Sequence, residues 1–259
     1  MAHVPAQSLV DAAHELARGG RWAQAGTLLD AAEADAAETG AVDVDADAVE
    51  AGALAVARAE VEVDHAFWMR RAADAAVLYT AAQAAADDAQ RWAVRFARLR
   101  AAYAEQLRAL MAGLALSGVD DLTSTVADLV AVAPSGATRA YATFYGGLIA
   151  EILLGDTATA ARYYQDAAGT SDEYVRSYAL RHLGAVADEA GHHDAALTQW
   201  RESTRLRQRA GFVPGALAQL QLYPADTSAA QIVADWAEAL EIRVLMSEAT
   251  EPEVARDPA

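Results

Sequence analysis

The sequence predicts an all-α protein without a sheet, and three observations carry that reading. Glycine and proline number only 16 and 6 in 259 residues, and alanine is abundant, so little interrupts helix. Capping and turn residues recur at helix-length intervals. One small–large–small pattern stands three times behind a turn glycine: Gly20–Ala25–Leu29–Ala32, Gly155–Ala160–Tyr164–Ala167 and Gly191–Ala196–Trp200–Ser203, the last two 36 residues apart.

The pattern has a physical reason. A small residue five positions after the turn lets two helices approach closely, and the large residue four further on fills the space where the next hairpin packs. The glycines suit the left-handed conformation that closes a helix. In chain order, about Ala6 to Ala37 forms the first hairpin, with Leu9, Leu16 and Trp22. Ala41 to Asp47 is an acidic connector. Its Asp43, Asp45 and Asp47 imitate the start of a calcium loop, but Ala48 and Leu54 occupy the positions that need glycine and glutamate, so a solvated linker is expected. From Ala46 to Asp87 one long helix or two abutting ones are expected. There Phe67, Trp68 and Met69 wrap more than one face and predict burial on two sides.

Asp88 to about Leu116 has the clearest period. Trp92, Phe96, Leu99, Tyr103, Leu107, Leu110 and Leu114 fall on one stripe, flanked by Arg91, Arg95 and Arg98, a solvated face or a clamp for an acidic ligand. Gly118 is expected to end this helix, and Asp120 or Asp121 to cap the next, which runs to about Val132. Ala133-Pro-Ser-Gly136 breaks the chain. It divides an N-terminal helical half (1–132) from C-terminal repeats and capping helices (137–248), followed by a disordered tail (249–259). Within the second half, Thr170 and Glu173 form a capping box that opens a helix. Val213 to Tyr223 reads as a short helix stopped by Pro224. Ser228 and Gln231 open a last helix through Trp236 and Leu240 to about Met246.

The hairpins from Tyr141 to Arg209 resemble the tetratricopeptide repeat. The resemblance is carried by Leu183-Gly184, the turn at Gly191-His192 and the Ala196/Trp200/Ser203 spacing, and more loosely by Phe144–Leu148, Gly155-Asp156 and Ala160/Tyr164/Ala167. Glu151, where the family has an aromatic residue, and Gln208, in place of its terminal proline, depart from the pattern. The resemblance implies a right-handed superhelical array of antiparallel helix pairs, roughly eleven to twelve helices in all. It also implies a concave groove lined by the first helix of each repeat. Carried over, the groove positions are Tyr145, Ile149 and Ile152, with Ala142, in one repeat, and Tyr178, Arg181 and Asp188, with Ala185, in the next. The Lys/Asn set by which chaperone-binding members hold a peptide carboxylate is missing, and Arg181 replaces it only in part.

Composition narrows the function. The formal charge is −17 and all 20 basic residues are arginine, which argues against nucleic acid and against an anionic membrane surface. No cysteine is present, so disulfides and thiolate zinc sites are excluded. No signal peptide or membrane-length apolar run is visible, and a cytoplasmic location is expected. Nucleophile elbows, phosphate loops and dinucleotide fingerprints are missing. Glu62/His65 and Glu189/His192 have a metal-ligand spacing, but Gly191 puts a turn inside the second pair. His192-His193-Asp194 is expected at a turn, and His14 and His182 on groove helices. No catalytic residue, metal or cofactor is therefore expected. The chain reads as a non-catalytic module that binds a protein or peptide in an open groove. The alternative is a sensor, sequestering protein or enzyme that encloses a small apolar ligand near Trp68, Trp92, Phe96 and Tyr103.

Overall fold

A computed structural model describes residues 4–39 and 44–220. The last expected helix, its Ser228/Gln231 capping box and the tail lie outside the described residues, as do residues 41–43 of the acidic connector, while its remainder begins a helix instead of a linker. Among the described residues eleven α-helices follow one another: α1 (Ala6–Arg18), α2 (Trp22–Thr39), α3 (Val44–Trp68), α4 (Ala75–Ala84), α5 (Asp88–Met111), α6 (Val119–Ala131), α7 (Gly136–Leu148), α8 (Thr157–Ala168), α9 (Glu173–Glu189), α10 (His193–Arg209) and α11 (Val213–Leu220). A π turn, Ile149–Leu153, prolongs α7. Among the described residues there is no strand, and no helix is long and apolar enough to cross a membrane.

Local chemistry explains the starts and stops. Asp74, Asp87, Asp156 and Asp172 each accept a backbone N–H at the first turn of α4, α5, α8 and α9, while Ser135 and Thr138 form a reciprocal capping box on α7. The cap of α9 is thus Asp172 and not Thr170. Thr170 Oγ1 instead accepts the Asp172 N–H, because a carboxylate two residues nearer the helix meets its free N–H groups better. The helix α5 also ends earlier than its apolar stripe suggests. Gly113 takes a left-handed turn at φ 69°, and Leu114 N–H reaches back to Ala109, so Leu110 and Leu114 are exposed. Gly118, also left-handed, starts α6 instead of ending α5.

The three turn glycines Gly20, Gly155 and Gly191 all have positive φ. Behind them Ala25, Ala160 and Ala196 are fully buried, and Leu29, Tyr164 and Trp200 are buried. Each helix packs on the next, and α1 packs on α3, α3 on α5, and α7 on α9. The helix α3 lies against four others, α1, α2, α4 and α5. One core cluster joins Trp92, Phe96, Leu99 and Tyr103 of α5 to Phe144 and Tyr145 of α7 and Tyr164 of α8. This core crosses the break at Pro134 without interruption. A second joins α1, α2 and α3 to Phe212 and Leu217. Trp68 meets Phe212 edge-on, and the Arg18 guanidinium lies over Tyr174. Large side chains thereby connect the first three helices to α9 and α11.

Candidate functional site

The π turn decides how the first repeat presents its side chains. Eight residues separate Gly147 from Gly155, but only seven separate Gly184 from Gly191. A Cβ on Gly184 would stand 2.3 Å from Trp200, and one on Gly147 would stand 2.3 Å from Tyr164. Gly147 is therefore the counterpart of Gly184, and the repeat beginning in α7 carries one extra residue after it. The π turn absorbs this residue. The inward-facing counterpart of Tyr178 is thus Tyr141, not Ala142, and the two rings stack at 6.4 Å.

Four of the six expected groove residues, Tyr145, Ile152, Tyr178 and Arg181, line one cavity of about 140 Å³. Ile149 does not; it is buried and faces a smaller recess with Val126 of α6 and Tyr163 of α8. Asp188 is also elsewhere, accepting from His193 Nδ1 at 2.6 Å where α9 turns into α10. The register shift accounts for Ile149, and the last turn of α9 lies beyond the cavity. Trp68 and Tyr103 reach the cavity. Trp92 and Phe96 stack on each other instead, and the Trp92 indole N–H is spent on Leu129 O at 2.9 Å.

The cavity wall is a run of rings. Tyr141 packs on Phe96, Tyr145, Tyr174 and Tyr178, and Phe144 packs on Tyr164, Tyr178 and His182. Burial raises the phenol pKa values of Tyr103, Tyr141 and Tyr145, so these rings stay neutral at pH 7.

Three arginines reach the same space, and none was singled out by the sequence except Arg181. Arg100 is buried but compensated. It pairs with Asp64 of α3, donates from Nε to the Tyr145 hydroxyl at 3.3 Å, and lies over the Tyr141 ring. Desolvation alone would lower its pKa, but Asp64 and the surrounding phenols raise it. Arg207 of α10 is 1% exposed, and no carboxylate among the described residues pairs with it. One Nη donates to Gly215 O, while Nε and the other Nη have no partner among the described residues. Its guanidinium lies 5.1 Å from the Tyr178 ring centre and 5.5 Å from that of Phe212. Burial first, then the nearby Arg181, pull its pKa down to about 9. Arg181 is better served, donating to Ala218 O at 3.2 Å and Gln219 Oε1 at 3.1 Å, yet burial lowers its pKa too.

His182, the one histidine among the described residues of the cavity wall, is half-buried and tied down. His182 Nδ1 contacts Glu151 at 2.8 Å, and Tyr164 OH donates to the same oxygen at 2.5 Å. Burial lowers the His182 pKa and the ring is neutral at pH 7. Burial would raise Glu151, but the hydrogen bonds from His182 and Tyr164 outweigh it and keep the carboxylate ionised. Glu151, the departure from the repeat pattern, therefore anchors the π turn to α8 and α9.

A second cavity, of about 180 Å³, lies behind Asp64, Arg100 and Tyr141 and is rimmed by His14, Glu60 and Tyr174. Of the remaining candidates, Glu62 accepts two hydrogen bonds from Arg71 and one from the Asp74 N–H. Glu189 ends α9, and His192 caps α10. Among the described residues no three potential metal ligands converge. Arg91 and Arg95 pair with Asp88 and Asp128 on an exposed face. Comparison with protein-family models, curated proteins and solved structures finds no match.

Proposed function

We propose that the helix pairs form a right-handed superhelical array of the tetratricopeptide type, acting as a non-catalytic binding module whose ligand sits in the half-open central cavity. The array is supported by three helix pairs that bury the same small–large positions behind left-handed glycines, and by the packing of α1 on α3, α3 on α5 and α7 on α9. The binding site rests on one observation. Tyr145 and Tyr178, which an open groove would display, are packed among Tyr141, Phe144 and Phe96, and the space beside them is a half-open pocket sunk between these rings. This favours the enclosed small ligand over a peptide laid along a surface. A volume of about 140 Å³ suits a benzene-sized group. A protein partner fits only by inserting one terminal residue of that size.

The non-catalytic reading rests on the cavity's chemistry. Among the described residues its wall contains no serine, threonine or cysteine, and His182 is committed to Glu151. The serine- or cysteine-type pair of nucleophile and free base is therefore missing from these residues. Saturation-transfer NMR with benzamide tests the site. Wild type should transfer saturation to the probe, and Ile152→Trp, which fills the cavity, should not. Equal transfer in both proteins, or none in wild type, would contradict it.

A further inference from the structure

The cavity is apolar along most of its wall, yet it holds two guanidinium groups that no carboxylate among the described residues neutralises. Arg207 is enclosed between the Tyr178 and Phe212 rings, and among the described residues two of its three nitrogens have no partner. Arg181 has only neutral acceptors, Ala218 O and Gln219 Oε1. Arg100 shows what the same fold does when a charge is structural: it supplies Asp64. A guanidinium is always protonated and offers five donors in a plane that matches a carboxylate. Burying one without a counter-charge is costly, and such a residue is usually neutralised by a paired acid. The electrostatic pressure on Arg207 comes from its burial and from Arg181, both of which an incoming anion would relieve.

We infer that the cavity is a carboxylate site: Arg207, with Arg181 beside it, receives the acid group of a small ligand whose apolar body lies against Tyr145, Leu148 and Ile152. This deepens the proposed function and rests on it. The ligand class is a monocarboxylic acid with an aromatic or short branched body of about benzene size. The site is not the groove-helix clamp that the repeat family uses for peptide ends, because Arg207 stands on α10, the second helix of its pair. The same chemistry could come from a free acid or from the terminal residue of a peptide.

Calorimetric titration of the full chain with benzoate and with its neutral isostere benzamide tests the inference. Benzoate should bind at least about tenfold more tightly. Arg207→Met should remove that preference while raising the melting temperature of the unliganded protein, since a buried unpaired charge is lost. Arg181→Met should weaken benzoate binding in the same direction. The two sources separate with a short peptide ending in phenylalanine, as the free acid and as the amide. A peptide source predicts that the peptide acid outcompetes benzoate and the amide does not bind; a free-acid source predicts that only benzoate binds. Equal affinity for benzoate and benzamide in wild type would overturn the carboxylate assignment and leave the cavity as a ligand site. Arg207→Met that lowers the melting temperature and leaves benzoate affinity unchanged would make Arg207 a brace between α10 and α11, and would likewise overturn it. Failure of both probes to bind would remove the proposed function together with the inference.

Discussion

Asp64 reaches Arg100 from a helix 36 residues earlier in the chain, and that pair holds α3 against α5 at the edge of the cavity. Replacing Asp64 with asparagine removes the counter-charge and leaves the buried Arg100 only neutral acceptors and ring faces. The expected loss is about 2–4 kcal/mol in denaturant unfolding, below the full cost of breaking a buried pair because Asp64 is partly solvated. His182 makes a pH prediction. Its folded pKa lies below the ordinary 6.5 because burial disfavours the charged ring, so the unfolded chain takes up the proton first as pH falls. Its contribution is complete above about 6.5 and declines as pH drops through the folded value. Glu151, also depressed, gives up its share only below 4.5. The groups facing His182 are Glu151, Tyr164, Arg181 and Arg207. Chemical denaturation of wild type and His182→Gln should show their stability difference shrinking between pH 7.5 and 5.5. A difference that grows as pH falls would mean that the imidazole is already protonated in the fold, and one independent of pH that burial does not move its pKa; either would contradict the account.

At the scale of elements, the repeats make the sharpest claim. Gly184 is small because the Trp200 indole occupies the place of its side chain. Gly184→Ala should therefore cost about 1–3 kcal/mol through overpacking, and Gly147→Ala a similar amount against Tyr164. Asp172→Ala should cost about 1 kcal/mol as a lost helix cap. Thermal melts of the three variants would check the series, and a neutral Gly184→Ala would count against the hairpin packing. These features are legible in the sequence because they are local: the glycine, alanine and aromatic positions sit within one hairpin. The π turn is not legible in that way. It shows only as one extra residue between Gly147 and Gly155, which moves the inward face by one position and sends Ile149 away from the cavity. Arg100 and Arg207 were hidden for another reason. On a helix pattern they look like any solvated arginine, and only contacts from distant elements, Asp64 for one and Tyr178 with Phe212 for the other, make them interior.

For the whole molecule, the question is where a ligand meets it. Among the described residues the central cavity competes above all with the recess of Phe67, Leu107 and Met111 at the end of α5, next to exposed Leu110 and Leu114. Exposed apolar patches of this kind also attract ligands. Burial of the ligand's body in the cavity and neutralisation of its charge by Arg207 would add, so occupancy should raise the melting temperature by mass action. The most direct test is methyl-resolved NMR of the full chain titrated with benzoate. Binding in the cavity predicts that the largest shifts fall on Leu148 and Ile152, with Leu110 and Leu114 unmoved. Shifts centred on Leu110, Met111 and Leu114, with Leu148 and Ile152 silent, would contradict it.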